Sequence, residues 1–528
     1  MRKNILALSI ATMIGGLGLA SGANAGSFPG VLVGTTATVL EFNGRDVGHQ
    51  LIVPYFTTQN GQATLISIVN HDQTNGKAVK VRFRGAANSD DIFDFTLFLS
   101  KGDHWSAAVS QGSDGRSVLK TSDKSCTLPA SVATNADGTA FVTDRLPASA
   151  SAADKAKGTR EGYVEIFNMA DVPDNGHTAP QPDLAKAITH VAGVAPCTAA
   201  TFSGLATYAN IDSTAELEAR GFRAPTTGLS GGWTIIDVPN STTFSGNATA
   251  IEARVAAGGA AAPARMVVFS QTGNAVGQAL ADSTTADPLL RGAAPKVAPA
   301  QYDLPDLSTP YVGAAAFAPV AGDTIPLGNA SRLTAALAVP NTQNEFVTST
   351  DIAAKTDWVF SMPTRRYNVA LDYSASPAAR VFSDFTTAAA PNNINFFTAA
   401  NTSVASGQIC VTGITPKQYD REENSPTVSN DFVVSPGTPG QPLSFCGEVS
   451  VLSFNDAGGN SSLSSSVARK DIDFGTIRNG WATLAHPGLA GTTGLPVLGA
   501  SFVKASNAAA KPGVAANYGL TFPHKVVR

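Results

Sequence analysis

A chain of 528 residues can build two or three domains with sizeable cores, yet only 14% of this one is charged, against about 25% in an ordinary soluble protein. Its formal net charge is −4 and no basic cluster occurs, which argues against nucleic acid as a partner. Gly, Ala, Ser, Thr and Asn fill the space, a composition suited to a β-rich extracellular protein whose neutral surfaces can meet a neighbour with few ions to desolvate.

Residues 1–25 read as a secretory signal peptide. Arg2 and Lys3 form the positive start, Ile5 to Leu19 the apolar middle, and Ala23-Asn24-Ala25 the small-residue cleavage site. The apolar run is too short and too Gly-rich for a membrane anchor, and no later run approaches the roughly 18 residues a helical span needs. Export with cleavage is therefore expected, with the protein at the cell surface or outside the cell.

An opening strand over Ala37–Phe42 leads into an antiparallel meander at 51–109. Its strands are Leu51–Phe56, Ala63–Asn70, Lys77–Arg84, Ile92–Leu99 and Trp105–Val109. In the third, Val79, Val81 and Phe83 point one way and Lys80, Arg82 and Arg84 the other, the period-two pattern of a half-buried strand. Asn75-Gly76 and Gly85–Asp91 supply turn chemistry for two of the connections. Beyond a Ser/Asp/Thr-rich stretch over Gln111–Ala140, Arg160–Ala170 fits another strand, and Asp183–Val191 and Thr214–Arg220 are short helical candidates. Trp233–Val238 and Arg265–Ser270 return to strand, with loops expected over Asn240–Ala264 and Ala275–Ala300. Further strands are expected at Asp357–Pro363, Tyr367–Tyr373, Gly407–Thr412, Gly447–Phe454, Gly480–Leu484, Leu495–Lys504 and Asn517–Phe522. No fixed period repeats, so a solenoid or propeller is not expected. The fold class is mainly β: antiparallel, sandwich-like sheets with long loops and a few short helices. An N-terminal β domain at 26–270, a loop-rich connection at 271–310 and a C-terminal β domain at 311–528 follow from this pattern.

Four cysteines in an exported chain point to disulfides and allow three connectivities. Two fall in each half, which favours Cys126–Cys197 and Cys410–Cys446. No close Cys/His spacing suggests a metal centre. Asp90, Asp91 and Asp94 around one turn, and Asp471 and Asp473, could offer oxygen ligands to calcium, although neither group matches a known calcium loop. Polar turns explain both, and no other cofactor is indicated. His49, His71 and His104, with Asp72 and Asp103, could form an acid–base or metal site, but turns favour the same residue types. Gly228-Leu-Ser-Gly-Gly232 has the spacing of a nucleophile elbow around Ser230. An elbow needs a strand before the serine and a helix after it, whereas here a strand follows. Lys80, Arg82 and Arg84 form a basic stripe that could face an anionic surface such as lipopolysaccharide, with an ordinary solvent face as the simpler reading. Trp105, Trp233, Trp358 and Trp481 read as core or sheet-packing residues; they could also serve as sugar-stacking platforms, although no clustering in sequence supports that.

Several segments resemble the exported cell-surface proteins of Gram-negative bacteria, surface-layer proteins among them. They are Gly61–Asn70 running into Gly76–Phe83, Glu161–Ile166, Asn344–Val347, Thr356–Thr364, Leu495–Gly499 and Asn517–Gly519. These are strand and turn patterns without chemistry, spread over most of the chain. The resemblance implies a non-enzymatic envelope protein that associates with itself into a layer or sheath, and it carries no catalytic residues. An outer-membrane β-barrel is the competing expectation, weakened by short strands, 7% aromatic residues and an end at Lys525-Val-Val-Arg528. A secreted adhesin, carbohydrate-binding protein or hydrolase is the third.

Overall fold

The computed structural model describes residues 37–147, 149–205, 214–264, 266, 326–373, 377–382, 396–425, 433–435, 443–455, 461–466, 469–475, 477–488, 494–511 and 514–526. The signal peptide at 1–25, the connection at 271–310 and most of the strand expected over Arg265–Ser270 lie outside them.

The first half opens with β1 (Val39–Asn43), β2 (Gln50–Thr57), β3 (Gln62–Asn70), β4 (Asn75–Gly85) and β5 (Asp91–Leu99). Next come β6 (His104–Gln111), β7 (Ser117–Lys120), β8 (Cys126–Leu128) and β9 (Thr139–Ala140). β10 (Glu161–Pro173), β11 (Leu229–Asp237), β12 (Thr242–Asn247) and β13 (Thr249–Arg254) complete it. They form two open sheets, ordered β1-β13-β2-β10-β4-β5-β8 and β12-β11-β3-β6-β7-β9.

The expected meander is thus a sandwich. β2 lies in the first sheet, β3 in the second, β4 and β5 in the first again, and β6 in the second. Within β2–β6 only β4 and β5 pair as chain neighbours, across the expected turn. Alternation identifies a strand by its two faces, but it carries no information about which edge the strand joins. Asn75 and Gly76 begin β4 opposite Pro173 and Val172 instead of closing a hairpin. The turn is made before them, where the Asp72 carboxylate accepts the amides of Thr74 at 2.7 Å and Asn75 at 3.0 Å. The loop expected over Asn240–Ala264 contains β12 and β13. Ala250 and Ala253 of β13 are buried, but alanine contrasts too weakly with its neighbours to show a face in the sequence.

The second half runs through β14 (Ala338–Val339), β15 (Asn341–Val347), β16 (Lys355–Ser361), β17 (Val369–Asp372) and β18 (Ala379–Phe382). β19 (Thr402–Ala405), β20 (Gln408–Asp420), β21 (Val433–Ser435) and β22 (Leu443–Cys446) follow. Last are β23 (Val449–Phe454), β24 (Arg469–Asp473), β25 (Asn479–Ala485), β26 (Leu495–Pro496), β27 (Leu498–Lys511) and β28 (Val514–Pro523). One sheet is ordered β15-β25-β20-β19 with β22 also on β20, and another β21-β24-β23-β16-β27-β28. Among the described strands only β23–β24 is a parallel pair. Trp358, Phe360, Phe445 and Phe454 fill the space between these two sheets.

No described strand pairing joins the halves, yet they share a core. Phe502 of β27 lies 6.3 Å from the Tyr55 ring, 5.7 Å from Trp233 and 5.5 Å from Phe244. Leu333 and Leu337, on the helix Pro326–Leu337, belong to the same apolar cluster as Leu51 and Ile251. The Glu161 carboxylate accepts Ser465 Oγ at 2.7 Å and the Ser466 amide at 2.9 Å. Both disulfides form as expected, Cys126–Cys197 and Cys410–Cys446. The first ties β8 to the chain beyond the helix Leu184–Ile188, and the second staples directly opposed residues of β20 and β22.

Candidate functional site

The basic stripe of β4 is not a surface. Lys80, Arg82 and Arg84 are fully buried, so neither the solvent face nor a lipopolysaccharide contact through them survives. β4 lies inside its sheet, flanked by β10 and β5, and carboxylates on those strands meet the cations. Lys80 bonds Asp94, Arg82 lies 3.3 Å from Asp91, and Arg84 lies 3.5 Å from Glu165. The second half closes the cluster from above. Arg366 donates to both Glu165 oxygens at 2.7 and 3.0 Å, and Arg365 stands 2.5 Å from Glu448. Alternation therefore marks two buried faces here, one apolar and one ionic. Removing such charges from water is tolerable only because each meets its opposite.

The calcium candidates fall partly into this cluster. Asp91 and Asp94 are engaged by Arg82 and Lys80, while Asp90 accepts the Tyr373 hydroxyl at 2.9 Å on each oxygen. Burial pushes the Asp90 carboxyl up to about 7, against the pull of Tyr373, Arg84 and Arg365. On β24, Asp471 pairs with Arg469 at 2.7 Å, and Asp473 accepts the Gly475 amide at 2.8 Å. Each candidate carboxylate already has a protein partner. Among the described residues no group of three or more His, Cys, Asp or Glu is placed to hold a metal ion.

The three histidines do not converge. His49 is buried and its Nδ1 accepts the Ala253 amide at 3.1 Å; burial, aided by Lys77, lowers its pKa to about 3. His104 starts β6 with an exposed ring, and its backbone amide bonds the Asp103 carboxylate. His71 instead meets the other sequence candidate. Its Nε2 lies 2.7 Å from Ser230 Oγ at one end of the second sheet. That distance suits a base and a nucleophile. Ser230, however, lies within β11, with no helix behind it, and no carboxylate among the described residues is bonded to the other His71 nitrogen. Trp105, Trp233 and Trp358 are core residues as expected, while Trp481 is 37% exposed.

What sequence reading missed is the outer face of the second sheet. Along β3 and β11 the inward residues Ile66, Ile68, Trp233 and Ile235 are buried. Their alternates, Leu65, Ser67, Gly232, Thr234 and Ile236, face outward with Ser106 and Ala108 of β6 and Ser245 of β12. These residues line an open groove of about 810 Å³, and Lys120 at its border is the only charged residue in its lining. Small side chains at Ser67, Ser106, Ala108, Gly232 and Ser245 leave this face of the sheet bare. A run of Ser, Thr, Ala and Gly carries little contrast in sequence, and its one signal was the low overall charge. Comparison with family models, with curated proteins and with solved structures finds no match.

Proposed function

We propose that this is a non-enzymatic structural protein of the cell envelope, exported through a cleaved signal peptide, that associates with copies of itself through the outer face of its second sheet. The observation that carries the reading is the groove on that face, lined mainly by neutral residues with Lys120 as its one charge, in a chain that places several of its cations in its interior. Association there costs little ionic desolvation, and small side chains lose little rotamer freedom when covered. The two disulfides suit life outside the reducing cytosol. Thr234→Lys places an ammonium at the centre of the face without touching the core. Light scattering should then report assembly for the parent protein and monomers for the variant; monomers for both would remove the proposal.

A second reading rests on the His71–Ser230 pair alone. If the pair is a hydrolytic dyad, the protein turns over p-nitrophenyl acetate and Ser230→Ala abolishes it. The structural reading expects no turnover above buffer.

A further inference from the structure

A second buried charge cluster lies where β4 begins. Lys77 stands directly opposite Asp171 of β10 in the register of the sheet. Its Nζ donates to Asp171 Oδ1 at 2.8 Å and to Asp72 Oδ2 at 3.2 Å. The Lys77 side chain is wholly buried, that of Asp171 is 3% exposed and that of Asp72 14%. The segment leading into β11 roofs the cluster. Thr226 Oγ1 lies 3.2 Å from Lys77 Nζ, and a Cβ on Gly228 would already touch Lys77 Cε at 3.4 Å.

One carboxylate is enough to offset a buried ammonium, and here there are two. They are held differently. Asn168 Nδ2 donates to Asp171 Oδ1 at 2.7 Å, and the Thr226 amide and hydroxyl donate to Oδ2 at 3.1 and 2.5 Å. Donors aimed at both oxygens stabilise the negative charge that develops there when a nucleophile attacks the carboxyl carbon. Burial raises the Asp171 pKa against the pull of Lys77 and these hydrogen bonds, which favours the acid form that an amine attacks. Asp72 meets the same nitrogen from the wetter side. Burial works to raise its pKa, but the Thr74 and Asn75 amides and Lys77 outweigh it and hold it at about 2. It is therefore an ionised proton acceptor in contact with the ammonium.

We propose that Lys77 and Asp171 condense into an intramolecular isopeptide bond, with Asp72 carrying the protons. The ammonium passes one proton to Asp72, and the free amine attacks Asp171 Cγ in its acid form. A C–N bond forms, and the C–OH bond breaks as its oxygen takes the proton back from Asp72 and leaves as water. Asp72 then accepts the surplus proton from the new amide nitrogen and releases it at its exposed edge. Nothing is oxidised or reduced, and no co-reactant is needed. The fold holds the amine against the acyl group, so proximity replaces chemical activation. Condensation also removes two charges from a site where charge is costly. The link ties β4 to β10 covalently and, unlike the disulfides, resists reductants. It is independent of the self-association reading, which concerns the other sheet.

Mass spectrometry of the purified full exported chain, with both disulfides reduced, tests the bond. The protein should weigh one water less than its sequence, counted from the N-terminus that a protease digest identifies. The same digest should contain a branched species that joins the Lys77 and Asp171 peptides. Lys77→Arg keeps the charge without an attacking amine and should restore the full mass. Asp72→Asn keeps an oxygen for the Thr74 and Asn75 amides and should also leave the chain unlinked. If a variant fails to fold, the parent measurement decides alone. The full sequence mass in the parent would overturn the proposal. So would a water loss located anywhere else, the buried Lys80–Asp94 pair included, or a link undiminished in Asp72→Asn.

Discussion

Arg366 and Glu165 come from opposite halves of the chain and are both fully buried, so each depends on the other to offset its desolvation. Arg366→Met removes the cation and leaves Glu165 with the more distant Arg84, at 3.5 Å. The expected cost is ~3–5 kcal/mol, read as a lower midpoint in urea denaturation. Asp90 makes the opposite case, a carboxyl that burial keeps protonated up to about 7. The unfolded chain releases that proton near its ordinary value of 3.8, so folding retains a proton between the two values. This contribution is fully present below about pH 4 and is lost as pH rises through about 7. Asp90→Asn copies the neutral form, so its stability should change less over that interval than the parent's, with a similar midpoint at pH 4. An equal slope in both proteins would place the titration elsewhere. None of this was legible in sequence. Lys80, Arg82 and Arg84 alternate with apolar residues as solvent-facing cations do, and only the strands and the second half that cover them show otherwise.

At the scale of elements, legibility followed contrast. β16, β20, β23 and β27 overlap the strands expected at Asp357–Pro363, Gly407–Thr412, Gly447–Phe454 and Leu495–Lys504, because β-branched and aromatic residues alternate there against polar ones. β13 and β24 were missed, one being alanine-rich and the other charged along most of its length. The cysteine pairing was legible from position alone, since each pair falls within one half. Each disulfide closes a loop, of 71 residues for Cys126–Cys197 and 36 for Cys410–Cys446, and is worth about 4 kcal/mol in the chain-entropy model. Replacing either pair by serine should lower the urea midpoint by an amount that the other pair does not compensate. Gly162 exposes a constraint of another kind. It sits in β10 between β2 and β4, where an added Cβ would fall 1.7 Å from the Arg84 carbonyl oxygen. Gly162→Ala must part β10 from β4 and should destabilise by more than the ~1 kcal/mol typical of a point substitution, measured by the same denaturation.

For the molecule as a whole, the shared core around Phe502 and the ion pairs between halves join the two sequence halves through one packed interior. The charges committed to that interior are charges absent from the surface. This connects a composition of 14% charged residues to an outer sheet face whose groove carries a single charge, Lys120. The sequence reading reached the neutral surface as a property of the chain, but it could not locate it, since Ser67, Thr234 and Ser245 look alike on any strand. The most direct test is negative-stain electron microscopy of the purified exported protein beside its Thr234→Lys variant, each with and without millimolar calcium. The account predicts sheets, tubes or rings for the parent protein and dispersed particles for the variant. Dispersed monomers of the parent at every concentration, with and without calcium, would contradict it.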